Sequence, residues 1–189
     1  MAANLAIRDT SSATHPATGT GPDTEISSRQ DAGTGQDIFP QRSHAVCRGI
    51  GRLFARNDIW VLPEMPLRSG RRADLMGVDA RGQVIIVEIK TARSDLLGDG
   101  KWPDYLDHCD RFYWGVPPEL DRAVLDTAEY RPDCCGIIVA DAYDAEIVRP
   151  APTHALSAAR RKAEVQQLAR AALRRLQVAG DPNCRQWGQ

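Results

Sequence analysis

The stretch Gly70–Lys90, GRRADLMGVDARGQVIIVEIK, decides the fold. Two apolar-rich runs flank Ala80-Arg81-Gly82, and the glycine suits the left-handed position that closes a three-residue hairpin turn. Such a loop pairs Asp79 with Gln83. Counting back along both strands then places Asp74 directly opposite Glu88, with Cβ atoms about 4.5–5.5 Å apart. Strand alternation puts Glu88 and Lys90 on the face shared with Val84 and Ile86, while Ile85, Val87 and Ile89 point to the other side. Two carboxylates so close repel unless a proton or cation neutralises one, and an all-oxygen donor set suits a hard divalent ion such as Mg²⁺ or Mn²⁺. Such an ion polarises a phosphoryl oxygen and acidifies a bound water, and an ammonium at Lys90 positions that water or stabilises developing charge. The chemistry expected is phosphodiester hydrolysis. The simpler alternative is an exposed cross-strand ion cluster contributing about 0–1 kcal/mol.

Working outward, Val46, Ile50, Leu53 and Phe54 recur at helical spacing, which predicts a helix over Ser43–Arg56 capped by Ser43 and weakened by Gly49 and Gly51. Ile59–Leu67, Arg72–Val78 and Gln83–Lys90 read as a three-strand meander, with Pro63 and Pro66 pushing the first strand to a sheet edge. Ser94 opens a helical segment to about Cys109, interrupted near Pro103. Arg111–Val116 is a strand, Pro117 and Pro118 open a helix to about Ala128, and Cys134–Ala140 is a central strand with which Ala145–Val148 pairs back. A basic helix over Leu156–Val178 buries Val165, Leu168, Ala172 and Leu176. The order is α/β, with the last core strand parallel to its neighbour through a right-handed crossover.

The chain has 189 residues, 42% apolar and 26% charged, with a net charge of -1, which excludes a strongly basic nucleic-acid binder of the histone kind. Residues 1–38 contain no aromatic side chain and are rich in Ala, Thr, Ser and Gly, so they are expected to be a disordered tail. The folded domain is expected over residues 39–180, with a short tail over 181–189. No run approaches the roughly 20 apolar residues of a bilayer-spanning helix, and no leader pattern opens the chain; a cytoplasmic protein with reduced thiols and no membrane partner is expected. The 5 cysteines show no C-x-x-C spacing. Convergence of Cys47, Cys109, Cys134, Cys135, His44 and His108 on zinc or an iron–sulfur cluster is disfavoured, because adjacent cysteines on a strand point to opposite faces. Gly49-Ile50-Gly51 lacks the Lys-Ser/Thr ending of a phosphate-binding loop.

The string Arg71-Arg72-Ala73-Asp74 followed by Ile85-Ile86-Val87-Glu88-Ile89-Lys90 resembles the D…(D/E)-x-K signature of the restriction-endonuclease-like PD-(D/E)xK superfamily, whose core runs helix, three strands, helix, strand. More narrowly, GRRADLMGVD, IIVEIKTARSDLLGD, KWPDYLDHCDRFYWGVP and IIVADAYDAEIVRPAP resemble the bacterial MmcB family of DNA-repair proteins, implicated in tolerance of mitomycin-type crosslinks. The likeness covers residues 42–178. It implies an αβββαβ core with a mixed sheet, flanking helices and an added C-terminal helix. It also implies Asp74 and Glu88 as metal ligands, the Ile89 carbonyl as a further ligand, and Lys90 as the catalytic lysine of a Mg²⁺- or Mn²⁺-dependent DNA nuclease. Ala73 stands where the superfamily has proline. The first helix carries no glutamate, and Glu64 on the first strand is the nearest substitute. An endonuclease-like DNA-binding or adaptor protein without catalysis is the alternative.

Around this site Arg72, Glu64, Lys101 and Tyr105 are expected to assist, the last two because related nucleases often complete the site from the helix after E-x-K. Arg48 and Arg52 form a basic ridge on the first helix with Arg56, and with Arg71, Arg72 and Lys101 they are the candidate phosphate contacts. The last helix adds Arg160, Arg161, Lys162, Arg170, Arg174 and Arg175. Trp102 is expected to pack helix against sheet, and Phe112, Tyr113 and Trp114 to alternate through the core. DNA is the expected partner, with a second copy of the chain or other repair proteins as further candidates.

Overall fold

The computed structural model describes residues 38–187, with helices and a single six-stranded sheet. The tail expected over residues 1–38 lies outside the described residues except for Ile38, which begins the first helix. The elements are α1 (Ile38–Arg56), β1 (Ile59–Pro66), β2 (Arg72–Asp79), β3 (Val84–Ile89), α2 (Arg93–Leu97), β4 (Arg111–Val116), β5 (Cys135–Ala140), β6 (Ala145–Arg149) and α3 (Ala158–Gly180). Strands run in chain order across the sheet, β1-β2-β3-β4-β5-β6. β1, β2 and β3 form the antiparallel meander, β3, β4 and β5 are parallel, and β6 returns antiparallel to β5. This is a mixed sheet in αβββαβ order with flanking helices, followed by the expected C-terminal helix.

The hairpin register is the predicted one. Leu75 pairs with Val87, Met76 with Ile86 and Val78 with Val84, and Gly82 takes a φ of +74° in the turn. The two faces of β3 feed two apolar layers. Ile85 and Val87 pack with Val46, Ile50, Leu53 and Phe54 of α1; Val84 and Ile86 pack with Leu96, Trp102, Tyr105 and Leu168 on the opposite side. The sheet is therefore covered on both faces around β3, as a parallel centre requires. Trp102 lies between sheet and helical layer against Phe112 and Trp114, while Tyr113 joins the α1 side.

Several local expectations change. α1 starts at Ile38, so Ser43 lies inside the helix rather than capping it; Pro40 is compatible with the first turn, where its missing N–H has no intrahelical acceptor. Gly49 is needed there, because a Cβ would run into the Asp141 and Asp144 carbonyl oxygens of the β5–β6 turn. The segment after β3 is shorter than expected. α2 ends after Leu97, with Ala92 rather than Ser94 in its N-cap position, and a 3₁₀ segment, Trp102–His108, begins anew with Pro103 in its first turn. No α-helix follows Pro117 and Pro118: two 3₁₀ turns, Ala123–Asp126 and Ala128–Tyr130, stand there, separated where the Thr127 hydroxyl donates to the Val124 carbonyl at 2.8 Å. Residues Pro182–Trp187 of the expected C-terminal tail form a 3₁₀ segment.

α3 departs most from its expected role. Ser157 caps it, Glu164 and Leu168 are its buried residues, and Leu176, expected inside, is 71% exposed. The helix seats along the β1 edge, so its C-terminal half rides over the sheet margin. Arg175 donates to the Pro63 and Glu64 carbonyls at 2.6 and 3.0 Å, and Gln167 to the Pro66 carbonyl at 2.5 Å. Carbonyls of an open sheet edge are thereby satisfied by side chains. Asp110 fixes the start of the helix. Its carboxylate accepts from Val84 N–H (2.8 Å), Leu156 N–H (2.8 Å) and both Arg161 Nε (3.1 Å) and Nη2 (2.5 Å).

Candidate active site

Asp74 and Glu88 lie just beyond the Leu75–Val87 pair, where the paired β2–β3 register ends, and Glu88 follows Val84 and Ile86 on the face away from α1. There the backbone ladder gives way to a side chain. Ile89 N–H donates to Asp74 Oδ2 at 2.7 Å, so the carboxylate takes the place of a strand carbonyl. The Ile89 carbonyl leaves the same strand edge as its N–H. Glu88 is almost wholly buried; its Oε1 lies 3.4 Å from Lys90 Nζ, and its Oε2 is buried with no hydrogen-bond partner. Lys90 Nζ donates a shorter bond, 2.7 Å, to Asp99 Oδ2. Asp99 is a residue that sequence pattern did not single out; its only signal was its place between Gly98 and Gly100.

The electrostatics follow from this crowding. Burial, then the Asp74 charge, push Glu88 up to about 7 against the opposing pull of Lys90. Asp74 is also raised, chiefly by burial, although the Ile89 N–H and the Lys90 charge pull it down. Lys90 moves the other way from most buried amines: burial lowers it, but the hydrogen bond to Asp99 and the Glu88 and Asp99 charges outweigh that and keep it above its ordinary value. The site thus holds a firmly protonated lysine beside two carboxyls that resist ionising together.

Tyr105 stands at its margin, donating to the Arg72 carbonyl at 3.2 Å and stacking on Phe112. Its phenol is raised by burial and by Glu88, Asp99 and Asp74, so it remains a donor. The other expected contributors are partly engaged elsewhere. Arg72 pairs with Glu64 at 2.5 Å, Arg71 with Asp104 at 2.8 Å, and Arg52 donates to the Tyr143 carbonyl at 3.0 Å. Glu64 faces Arg72 at the exposed edge from a backbone with φ +53°, and its charge adds to the upward push on Asp74. Lys101 and Arg48 are exposed and carry no ion pair among the described residues. In α3, Arg161 and Arg175 are bound to Asp110 and to the β1 edge, which assigns them to holding the fold.

The cysteine geometry corrects one argument. Cys134 precedes β5, so it does not alternate with Cys135; the two sulfurs lie 3.6 Å apart in the same apolar layer as Cys109. Burial raises both Cys109 and Cys135, which makes them poor nucleophiles. Among the described residues no three His, Cys, Asp or Glu side chains are grouped to hold a metal. The donor set at the Asp74–Glu88 pair is two carboxylates and a strand carbonyl. An all-oxygen set of this kind is one that hard cations take, and Glu88 Oε2 is buried without a hydrogen-bond partner.

By its fold this is an α/β domain with a mixed six-stranded sheet and a D…E-x-K constellation at the end of its central hairpin. The chain belongs to the MmcB-like family of DNA repair proteins, whose model matches residues 31–183. Among solved structures it is similar to SPO1766, a protein of unknown function from Silicibacter pomeroyi, with 40% identity and a TM-score of 0.67 over 76% of this chain and 94% of that one. It is also matched to a repair endonuclease from Pyrococcus abyssi, with 18% identity and a TM-score of 0.34 over 50% of this chain and 46% of that one. A search of curated proteins gives no match. The family assigns the chain to DNA repair. Among the described residues no helix is long and apolar enough to cross a membrane.

Proposed function

We propose that the protein is a divalent-metal-dependent DNA nuclease that hydrolyses phosphodiester bonds in damaged or crosslinked DNA. The observation that carries this reading is the buried, unpartnered Glu88 Oε2 beside Asp74 and Lys90. A buried carboxylate oxygen with no donor is costly unless something binds it. Asp74, Glu88 and the Ile89 carbonyl would hold Mg²⁺ or Mn²⁺, which when bound would polarise the phosphoryl oxygen and acidify a water. Lys90 keeps its proton, so it acts as a hydrogen-bond donor and positive charge toward the attacking water or the pentavalent phosphate rather than as a general base. Lys101, Arg48, Arg71 and Arg72 would supply phosphate contacts, the last two by exchanging their present carboxylate partners for DNA.

The test is a cleavage panel of duplex, nicked, branched and crosslinked DNA, with and without Mn²⁺, run beside Glu88→Ala. Divalent-dependent cutting that disappears in the variant is expected, together with a melting temperature raised by Mn²⁺ in the wild type alone. Cutting that persists in Glu88→Ala overturns the assignment. Salt-sensitive DNA binding with neither cleavage nor a Mn²⁺ shift would instead identify a non-catalytic DNA-binding or adaptor role.

A further inference from the structure

Lys90 is held by two carboxylates of unequal reach. Its Nζ lies 2.7 Å from Asp99 and 3.4 Å from Glu88, and no third protein acceptor meets it among the described residues. An ammonium has three donors, so this leaves one unspent. We propose that Asp99 is the positioning residue for Lys90, holding the ammonium off the Glu88 carboxylate with one N–H free for the phosphodiester or the attacking water. This rests on the nuclease reading.

The backbone around Asp99 is built to fix it. Gly98 N–H donates to the Ser94 carbonyl at 3.0 Å, and Asp99 N–H to the Leu96 carbonyl at 3.2 Å. That same Leu96 carbonyl accepts the buried Tyr130 hydroxyl at 3.0 Å, across 34 residues of chain. Tyr130 in turn packs edge-on against Trp114, the partner of Glu88 in the β3–β4 register. The loop bearing Asp99 is therefore referenced to the strand next to the one that carries Glu88 and leads into Lys90. Side-chain exposures of 18% for Asp99 and 11% for Lys90 shield the pair from water, which strengthens it relative to a surface ion pair. Without Asp99 the nearest remaining acceptor is Glu88 Oε1, and an ammonium bound there competes with a cation for that carboxylate.

The experiment compares wild type with Asp99→Ala and Asp99→Asn, the latter retaining an acceptor oxygen. Three lysines occur in the chain, Lys90, Lys101 and Lys162, so ¹⁵N-lysine side-chain spectra are assignable with Lys101→Arg and Lys162→Arg. Asp99→Ala is expected to shift the Lys90 signal, weaken Mn²⁺ binding about tenfold and lower kcat about 10- to 100-fold at unchanged KM, with Asp99→Asn recovering most of each loss. An unmoved Lys90 signal with turnover within about twofold of wild type overturns the proposal. So does an equal loss in both variants that follows the melting temperature. If the wild type cleaves nothing, the nuclease reading falls, and the lysine spectrum and Mn²⁺ affinity still decide whether Asp99 holds Lys90.

Discussion

Two buried carboxylates on neighbouring segments of one sheet have opposite fates. Asp110, just before β4, has both oxygens filled by Val84 N–H, Leu156 N–H and Arg161; burial pushes its carboxyl up, but those donors outweigh it and hold it below the ordinary range. Glu88, in β3, has a distant lysine on one oxygen and nothing on the other, and is driven up to about 7. The first is satisfied within the chain and ties together a strand, a loop and α3. The second keeps one oxygen without a hydrogen-bond partner. Burial alone therefore does not tell which carboxylate is satisfied within the chain; the count and quality of its donors does.

The sharpest way to break this comparison is to neutralise each group. Glu88→Gln is expected to lower divalent-dependent cleavage by at least about 10³-fold, measured on the preferred substrate from the panel, while leaving denaturant stability equal to wild type or up to about 1 kcal/mol higher. Asp110→Ala should do the reverse, costing about 3–5 kcal/mol in urea unfolding because Arg161 and two backbone donors lose their acceptor. A fully stable Asp110→Ala protein would show that α3 is held by other contacts.

Acidity separates the pair next. Between the ordinary glutamate value near 4.5 and about 7, the folded chain carries more protons at Glu88 than the unfolded chain does, so without metal its contribution to stability declines as pH rises through that window. Asp110 contributes the opposite slope: its stabilisation is present above the ordinary value of 3.8 and is lost as pH falls through its depressed folded value. Melting curves from about pH 3 to 8 should therefore lose the upper slope in Glu88→Gln and the lower one in Asp110→Asn. The smallest expected effect is at the surface. Arg56→Ala, which removes an exposed ion pair to Asp144, should change stability by about 1 kcal/mol or less and cleavage not at all. A larger loss would show that the α1 contact with the β5–β6 turn carries more of the fold than its exposure implies.

The hairpin was legible because local chemistry sufficed. Gly82 supplies the left-handed turn, and the register it sets runs down to the Leu75–Val87 pair, next to Asp74 and Glu88. The helical segments after β3 and β4 were not, because their lengths are set by where Leu96, Leu125 and Tyr130 reach the core rather than by propensity, and both collapse to short turns. The α3 stripe misled for a related reason: Leu176 satisfies the helical period, but beyond the sheet edge none of the described residues covers it.

Sequence by itself determined the alternation of β3, the hairpin register and therefore the nearness of Asp74 to Glu88, since each follows from neighbours a few residues apart. Only the tertiary structure decided that Asp99 holds Lys90, that Arg161 serves Asp110, and that Arg175 and Gln167 close the β1 edge. Those pairings join residues whose separation along the chain carries no periodic signal, and they exist because packing the two layers onto the sheet brings particular donors within hydrogen-bond reach of particular acceptors.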